Sequence, residues 1–130
     1  MEDIMDRRKE TGSLGEQLAV EHLEAKGWEI LDRNWRCPAG ELDIIARDTA
    51  GYLVFCEVKT RRRYRELPVP PLEAITVKKL YKLQELGMRW LRAARRQYHL
   101  SIRGVRYDGI GVVLGEHSEP VIQHQRGLGF

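Results

Sequence analysis

Four charged side chains in the first half of the chain are predicted to share one face of a β-hairpin. They are Glu41, Asp43, Glu57 and Lys59. Two apolar-rich runs, 41–48 and 52–60, flank a turn signal, and a three-residue loop at 49–51 would pair Asp43 with Glu57. Because side chains alternate along a strand, all four then project from the same face. Directly opposed residues have their Cβ atoms about 4.5–5.5 Å apart, so two carboxylates can share one ion.

These charges lie in strands that otherwise resemble buried core. An ionised group is expensive to remove from water unless it is paired or bound to a metal, and the facing Asp43 and Glu57 would repel each other without a cation. Mg²⁺ or Mn²⁺ fits such oxygen ligands, and its bound waters supply a nucleophile for phosphodiester hydrolysis. The alternative is that Asp43 and Glu57 form structural pairs with Arg61 or Lys59.

A short helix and two strands are predicted to carry these residues. Ser13–Glu16 has the spacing of a capping box, which would open a helix with Leu14, Leu18 and Leu23 on one face and Gly27 at its end. Alternating or apolar runs predict strands at 28–35, 41–48, 52–60, 105–114 and 120–124.

A longer helix is predicted in the second half of the chain, with Thr76 as its cap. Its apolar stripe comprises Leu80, Leu83, Leu86, Trp90, Leu91 and Ala94. The element order α-β-β-β-α-β-β predicts a layered α/β (α+β) fold with a mixed central sheet flanked by helices. The 130 residues are expected to form a single domain, 1–130, in which 1–11 is flexible and 61–73 is a mobile, basic, proline-rich loop.

Basic residues are concentrated beside the predicted site, although the net charge is only +3. Fourteen Lys and Arg residues lie between Lys59 and Arg106, against three Glu residues. This asymmetry favours contact with a nucleic-acid backbone, and the alternative is a solvated helix face. The residues predicted to contact nucleic acid are Arg61, Arg62, Arg63, Lys78, Lys79 and Lys82.

The composition excludes several classes of protein. A hydrophobic fraction of 42% is ordinary for a globular domain and excludes wholesale disorder. The acidic start is unlike a signal peptide, and no stretch approaches the roughly 20 apolar residues of a membrane span. Cys37 and Cys56 have no zinc-binding spacing and are expected to be reduced thiols. We therefore expect a cytoplasmic protein with no membrane contact.

The hairpin residues also resemble a known signature. Leu42-Asp43, followed by Glu57-Val58-Lys59, resembles the motif of the PD-(D/E)XK nuclease superfamily, which has the restriction-endonuclease-like fold; Leu42 stands where the motif has Pro. The wider match is more specific. It comprises Gly15-Glu16, Gly27-Trp28, Asn34-Trp35-Arg36, Gly40 to Asp43, Phe55 to Arg61, Ala74 to Lys79 and Arg106-Tyr107-Asp108. Together these segments resemble the YraN-like family of small bacterial proteins over nearly the whole chain.

The resemblance implies a catalytic set of Asp43, Glu57 and Lys59, in which Lys59 orients or deprotonates the attacking water. The alternative for Lys59 is a salt bridge to one of the carboxylates. Archaeal Holliday-junction resolvases in the same superfamily place a Glu on the first helix, so Glu16 is a candidate metal ligand as well as a candidate cap. Glu41, on the predicted site face, and the carbonyl of Val58 are further candidate ligands.

Two functions are compatible with these features. The first is a divalent-metal-dependent endonuclease that hydrolyses DNA, with branched DNA among its candidate substrates. The second is a non-catalytic nucleic-acid-binding accessory protein that keeps the nuclease fold, and a weaker third is an interaction domain with a structural metal. The intact Asp–Glu–x–Lys set favours the nuclease. A chain of this length is expected to act as a homodimer if it cuts duplex or four-way DNA.

Overall fold

Two helices and five strands form the part of the chain that the structure describes. The structure is a computed structural model that describes residues 4–63 and 76–129. The elements are α1 (Ile4–Ala25), β1 (Glu29–Cys37), β2 (Gly40–Arg47), β3 (Leu53–Arg63), α2 (Val77–Gln97), β4 (Val105–Gly115) and β5 (Val121–Gln125). Their order is the predicted one.

The five strands form one mixed sheet in the order β1-β2-β3-β4-β5. Strands β3 and β4 run parallel, and the other neighbours are antiparallel. The β2–β3 hairpin has the predicted register, with Ile45 opposite Phe55 and Ile44 opposite Cys56. The predicted mixed α+β fold is confirmed, and it is compatible with a restriction-endonuclease-like core.

Each face of the sheet is covered by one helix. On one face α2 buries the predicted stripe from Leu80 to Ala94 against β2 and β3. Thr76 caps this helix as predicted, because its Oγ1 accepts a hydrogen bond from the Lys79 N–H at 3.2 Å. On the other face α1 packs Ala19 and Leu23 against the sheet. We call these the α2 side and the α1 side.

The first helix differs from its prediction. It begins at Ile4, so Ser13 lies inside it and the predicted capping box with Glu16 is wrong. Residues 4–11 are helical, although this segment was expected to be flexible. Leu14 is 46% exposed, whereas Gly15 is buried, so the buried face is rotated from the predicted one. The predicted end is confirmed: Gly27 has φ +84°, and the backbone bonds of a Schellman motif close the helix there.

The predicted loop at 61–73 begins too early. Residues 61–63 belong to β3, because each has a partner in β4 and the pairing continues to Arg63 and Gly115. The prolines that suggested a loop all lie beyond residue 63. The rest of the predicted loop, 64–73, lies outside the described residues.

Candidate functional site

Three carboxylates meet where β2 separates from β3. Glu16 of α1 and Glu41 and Asp43 of β2 each offer an oxygen, and these oxygens lie within 4.8 Å of one another. Glu16 and Asp43 are half-buried, and Glu41 is exposed. We call these three residues the acidic group.

Glu16 reaches the acidic group because α1 lies very close to β3 at this point. A Cβ atom at Gly15 would collide with the side chain of Thr60 in β3. Glycine therefore permits the contact, and the neighbouring residue, Glu16, is brought to the sheet. Farther along the helix, Ala19 and Leu23 are fully buried and hold α1 in this position.

Asp43 is turned toward α1 by a local irregularity of the sheet. Strict alternation would place it on the α2 side, where Ile45 packs. Its neighbour across β1 in register is Asn34, the only described non-glycine residue with positive φ, at 49°. Asn34 hydrogen-bonds Glu16, whereas the next pair, Trp35 and Leu42, packs on the α2 side. The break in alternation brings Asp43 to Glu16.

The backbone of β3 fixes the Asp43 side chain. The Val58 N–H donates to Asp43 Oδ2 at 2.8 Å, and this bond lies just beyond the last backbone pair between the two strands. Val58 therefore contacts the acidic group through its amide. Its predicted role as a carbonyl ligand stays a prediction.

Burial and like charge make the acidic group costly in the absence of a cation. Burial raises the pKa of Asp43 to about 6, and the charges of Glu16, Glu57 and Glu41 raise it too, although the Val58 hydrogen bond opposes the shift. Burial also raises the pKa of Glu16, against the hydrogen bond from Asn34. A cation bound to these oxygens would lower the pKa of both Asp43 and Glu16.

Glu57 lies outside the acidic group but next to it. Its charge raises the pKa of Asp43 more than that of Glu41 does. Regular alternation along β3 places Glu57 and Lys59 on the α2 side with Phe55, so the prediction that all four charges share one face does not hold. Glu57 Oε2 is buried and has no hydrogen-bond partner among the described residues. An unpartnered buried carboxylate oxygen fits an additional positive ligand.

Lys59 is paired with a second lysine at the start of α2. A hydrogen bond with the side chain of Lys79 is the largest cause that lowers the pKa of Lys59; burial contributes, and Glu57 opposes the shift. Two neighbouring ammonium groups repel each other, so the proximity of Lys79 disfavours the charged form of Lys59. Lys79, predicted to contact nucleic acid, therefore lies beside the predicted catalytic lysine.

The other predicted basic residues fall on both sides of the sheet. Lys78, Lys82 and Arg61 are exposed, and Lys82 lies 3.8 Å from Glu85. The side chain of Arg63 lies outside the described residues. Arg62 points to the α1 side, where its Nε donates to Thr11 Oγ1 at 2.7 Å.

A cleft of about 620 Å³ opens between α1 and β3, and it begins at the acidic group. Its lining residues are Arg7, Arg8, Thr11, Gly12, Glu16, Val58, Thr60 and Arg62. Arg7 and Arg8 were not predicted to belong to the site because residues 1–11 were expected to be flexible. A longer first helix would have been the signal, since it places these residues two turns before Glu16.

Two further residues of the site were also missed. Asn34 holds Glu16, and Arg36 Nε lies 3.1 Å from Glu41 Oε2. Both belong to the Asn34-Trp35-Arg36 segment, which carried the resemblance but received no role. A left-handed Asn next to a predicted carboxylate site is a recognisable signal only when the backbone angles are known.

A buried ionic network lies at the other end of the sheet. Arg106 donates to Asp48 at 2.8 Å and to Asp108 at 2.9 Å, and His124 Nε2 lies 2.8 Å from Asp108. Burial raises the pKa of Asp108, but the bonds from His124, Arg106 and the Gly127 N–H outweigh it, so the pKa is lowered. Asp108 and Arg106 form a structural ion pair at this end of the sheet. The part played by His124 was missed.

Two broader features bear on the class of protein. Cys37 and Cys56 are both free thiols, as predicted. Among the described residues, no helix has the length and apolar character needed to cross a membrane.

Comparison with known proteins identifies the family. The profile of the uncharacterised protein family UPF0102 matches residues 15–112, which include every member of the acidic group. The chain is 42% identical over 125 residues to a UPF0102 protein of Renibacterium salmoninarum, with 96% of this chain and all of that protein covered. It is 46% identical over 125 residues to one of Mycolicibacterium smegmatis, with 94% of each chain covered. The chain therefore belongs to the UPF0102 family, the YraN-like family that its motifs resemble.

Proposed function

We propose that this protein is a divalent-metal-dependent endonuclease that hydrolyses phosphodiester bonds in DNA. The observation that carries the proposal is the acidic group together with the unpartnered Glu57 oxygen beside it. Half-buried carboxylates that raise one another's pKa are destabilising by themselves, so a fold that keeps them needs a compensating ligand. The resemblance to PD-(D/E)XK nucleases supports the same assignment.

The donor set suits a hard cation such as Mg²⁺ or Mn²⁺. Asp43, Glu16 and Glu41 would hold it through carboxylate oxygens, with Glu57 and the Val58 carbonyl as further candidate donors. When bound, such an ion supplies an activated water and stabilises charge on the phosphate. The Val58 N–H fixes the orientation of Asp43 before the cation arrives, and the Asn34 side chain lies beside Glu16, where it favours the charged carboxylate.

Lys59 is assigned the proton transfer. The adjacent Lys79 lowers the pKa of Lys59, which increases the fraction of neutral amine that can accept a proton from water. Lys59 lies on the α2 side while the acidic group is turned to the α1 side, so the amine would act across the opening between β2 and β3. Lys79, Lys78 and Arg61 would add positive charge for the DNA backbone.

One observation favours a second candidate, a non-catalytic nucleic-acid-binding accessory protein. Glu41 is paired with Arg36, and alternation along β3 places Lys59 on the α2 side, whereas Asp43 is turned to the α1 side. A protein that binds DNA without turnover would tolerate this arrangement. Cleavage assays distinguish the two candidates because both predict binding.

The test is cleavage of linear, single-stranded and four-way DNA with Mg²⁺ or Mn²⁺. Wild type is compared with Asp43→Asn, and Glu10→Gln serves as a control because Glu10 is an exposed carboxylate of α1. We expect cleavage by wild type and by Glu10→Gln that EDTA stops, and none by Asp43→Asn. Cleavage that survives Asp43→Asn would refute the catalytic assignment. Salt-sensitive binding without cleavage on any substrate would establish the second candidate.

Whether the protein acts as a homodimer is a linked question. We propose a dimer on four-way or duplex DNA, since one acidic group serves one scissile phosphate at a time. Light scattering in the presence of DNA tests this, and a strictly monomeric complex would contradict it.

A further inference from the structure

The cleft between α1 and β3 contains a glycine that packing does not explain. Gly12 lies in the middle of α1, and a Cβ atom added there would meet no atom of the described residues within 4 Å apart from the neighbouring helix backbone. Glycine inside a helix lowers helix stability relative to alanine. Gly15, one turn later, has a packing reason, because a Cβ there would collide with Thr60. The missing side chain at Gly12 therefore leaves room for a ligand that approaches the helix from the cleft.

The charge of the cleft indicates the chemistry of that ligand. Three of its eight lining residues are arginines: Arg7, Arg8 and Arg62. Arg62 is held against the helix, because its Nε donates to Thr11 Oγ1, which in turn donates to the Arg7 carbonyl at 2.8 Å. A guanidinium fixed in this way is suited to a phosphate oxygen. Among the described residues of the lining the single acid is Glu16, at the end that joins the acidic group.

The lining also indicates which part of a nucleic acid would be contacted. Among the described residues of the lining there is no aromatic side chain on which a base could stack. Arginine side chains and the bare helix surface at Gly12 suit contact with the sugar-phosphate backbone, which carries no sequence information. Binding through the cleft is therefore expected to be independent of sequence and strongly dependent on salt.

The size of the cleft favours one strand over two. Its volume of about 620 Å³ equals that of a cube with edges of about 8.5 Å. The two phosphate rows of B-DNA border a major groove about 12 Å wide, so only one row of a duplex fits this space and the other would lie outside it. A single strand can enter it and reach the acidic group at Glu16.

We propose that this cleft is the subsite for a single strand of DNA, which lies across Gly12 with its phosphates on Arg8 and Arg62 and leads into the acidic group. The proposal rests on the proposed function, because it takes DNA as the ligand. It makes DNA with a single-stranded region the preferred substrate class.

Binding of a fluorescent single-stranded oligonucleotide in EDTA tests the proposal without requiring cleavage. The two test variants are Gly12→Leu, which fills the open space, and Arg8→Ala. Their matched controls are Ser13→Leu and Lys9→Ala, which introduce the same residues at exposed neighbours that are not among the described lining residues. Circular dichroism and thermal melting establish that all four variants fold, and Gly12→Ala provides a smaller substitution that favours the helix.

We expect Gly12→Leu and Arg8→Ala to weaken binding roughly tenfold, and both controls to change it less than about twofold. Arg8→Ala should also reduce the slope of log affinity against log salt by about one. Equal weakening by test and control variants, or tighter binding of duplex than of single strand by wild type, would overturn the proposal. These results do not depend on turnover. A protein that binds through Gly12 but never cleaves would refute the proposed function and keep the cleft assignment.

Discussion

Replacing Asp43 with asparagine is expected to stabilise the metal-free protein and to remove its response to Mn²⁺. Asparagine keeps an oxygen that can accept the Val58 N–H bond, and it carries no charge. The substitution removes both the burial of a carboxylate and its repulsion by Glu16, Glu57 and Glu41. A residue kept for binding a cation should show this trade between stability and function.

The magnitude follows from the pKa of Asp43. This pKa rises from 3.8 to about 6 on folding. At 1.36 kcal/mol per pKa unit, the ionised carboxylate lowers the free energy of unfolding by about 3 kcal/mol at pH 8. Because the folded state binds more protons between these two values, wild type loses stability as the pH rises through that window. The free energy of unfolding of Asp43→Asn should therefore exceed that of wild type by only about 1 kcal/mol at pH 4.5, where the carboxyl of the folded wild type is already protonated.

Urea denaturation in EDTA at pH 8 and at pH 4.5 measures these differences, with Glu10→Gln as the control. The exposed control should change the free energy of unfolding by less than about 0.5 kcal/mol at either pH. Addition of Mn²⁺ at pH 8 should stabilise wild type and leave Asp43→Asn unchanged. A destabilised Asp43→Asn, or an advantage that does not depend on pH, would refute the argument that this carboxylate is costly without a cation.

Three other substitutions test separate parts of the structure. Asp108→Asn should destabilise the protein by about 3 kcal/mol at pH 7 in urea titrations, because Arg106 loses a buried counter-charge. This difference in stability should shrink below pH 3.8, because the pKa of Asp108 is lowered in the folded state. A loss of under 0.5 kcal/mol would speak against the network. Gly15→Ala should cost about 1–3 kcal/mol and weaken Mn²⁺ binding in calorimetry, because the new methyl group pushes α1 away from Thr60; unchanged affinity would show that Glu16 is dispensable. Lys59→Met should abolish cleavage in gel assays while Mn²⁺ affinity stays within about threefold, and retained cleavage would exclude Lys59 as the proton acceptor.

Local signals were sufficient to predict most of the fold. The turn at 49–51 sets the β2–β3 register, so the pairing of Ile45 with Phe55 follows from loop length alone. The stripe of α2 and its Thr76 cap are likewise local features. The start of α1 was missed because a capping box at Ser13 is only one of several ways to begin a helix, and nothing in the first eleven residues opposes an earlier start.

The candidate site was predictable in its residue types but not in its geometry. Asp43 was assigned a face by strict alternation, and the left-handed Asn34 breaks that alternation from a neighbouring strand. A nonlocal irregularity of this kind leaves no periodic signal along β2. The cleft could not be predicted for the same reason, because it forms only when α1 packs beside β3 and Gly12 then becomes part of its lining.

Anomalous diffraction from crystals grown with Mn²⁺ would show whether the acidic group binds a divalent cation next to Asp43. We expect a manganese peak within coordinating distance of carboxylate oxygens of Asp43 and Glu16, with Glu57 Oε2 drawn toward it. The peak should be absent from crystals of Asp43→Asn under the same conditions. Manganese bound only elsewhere, or none at all at saturating concentration, would refute cation binding by the acidic group.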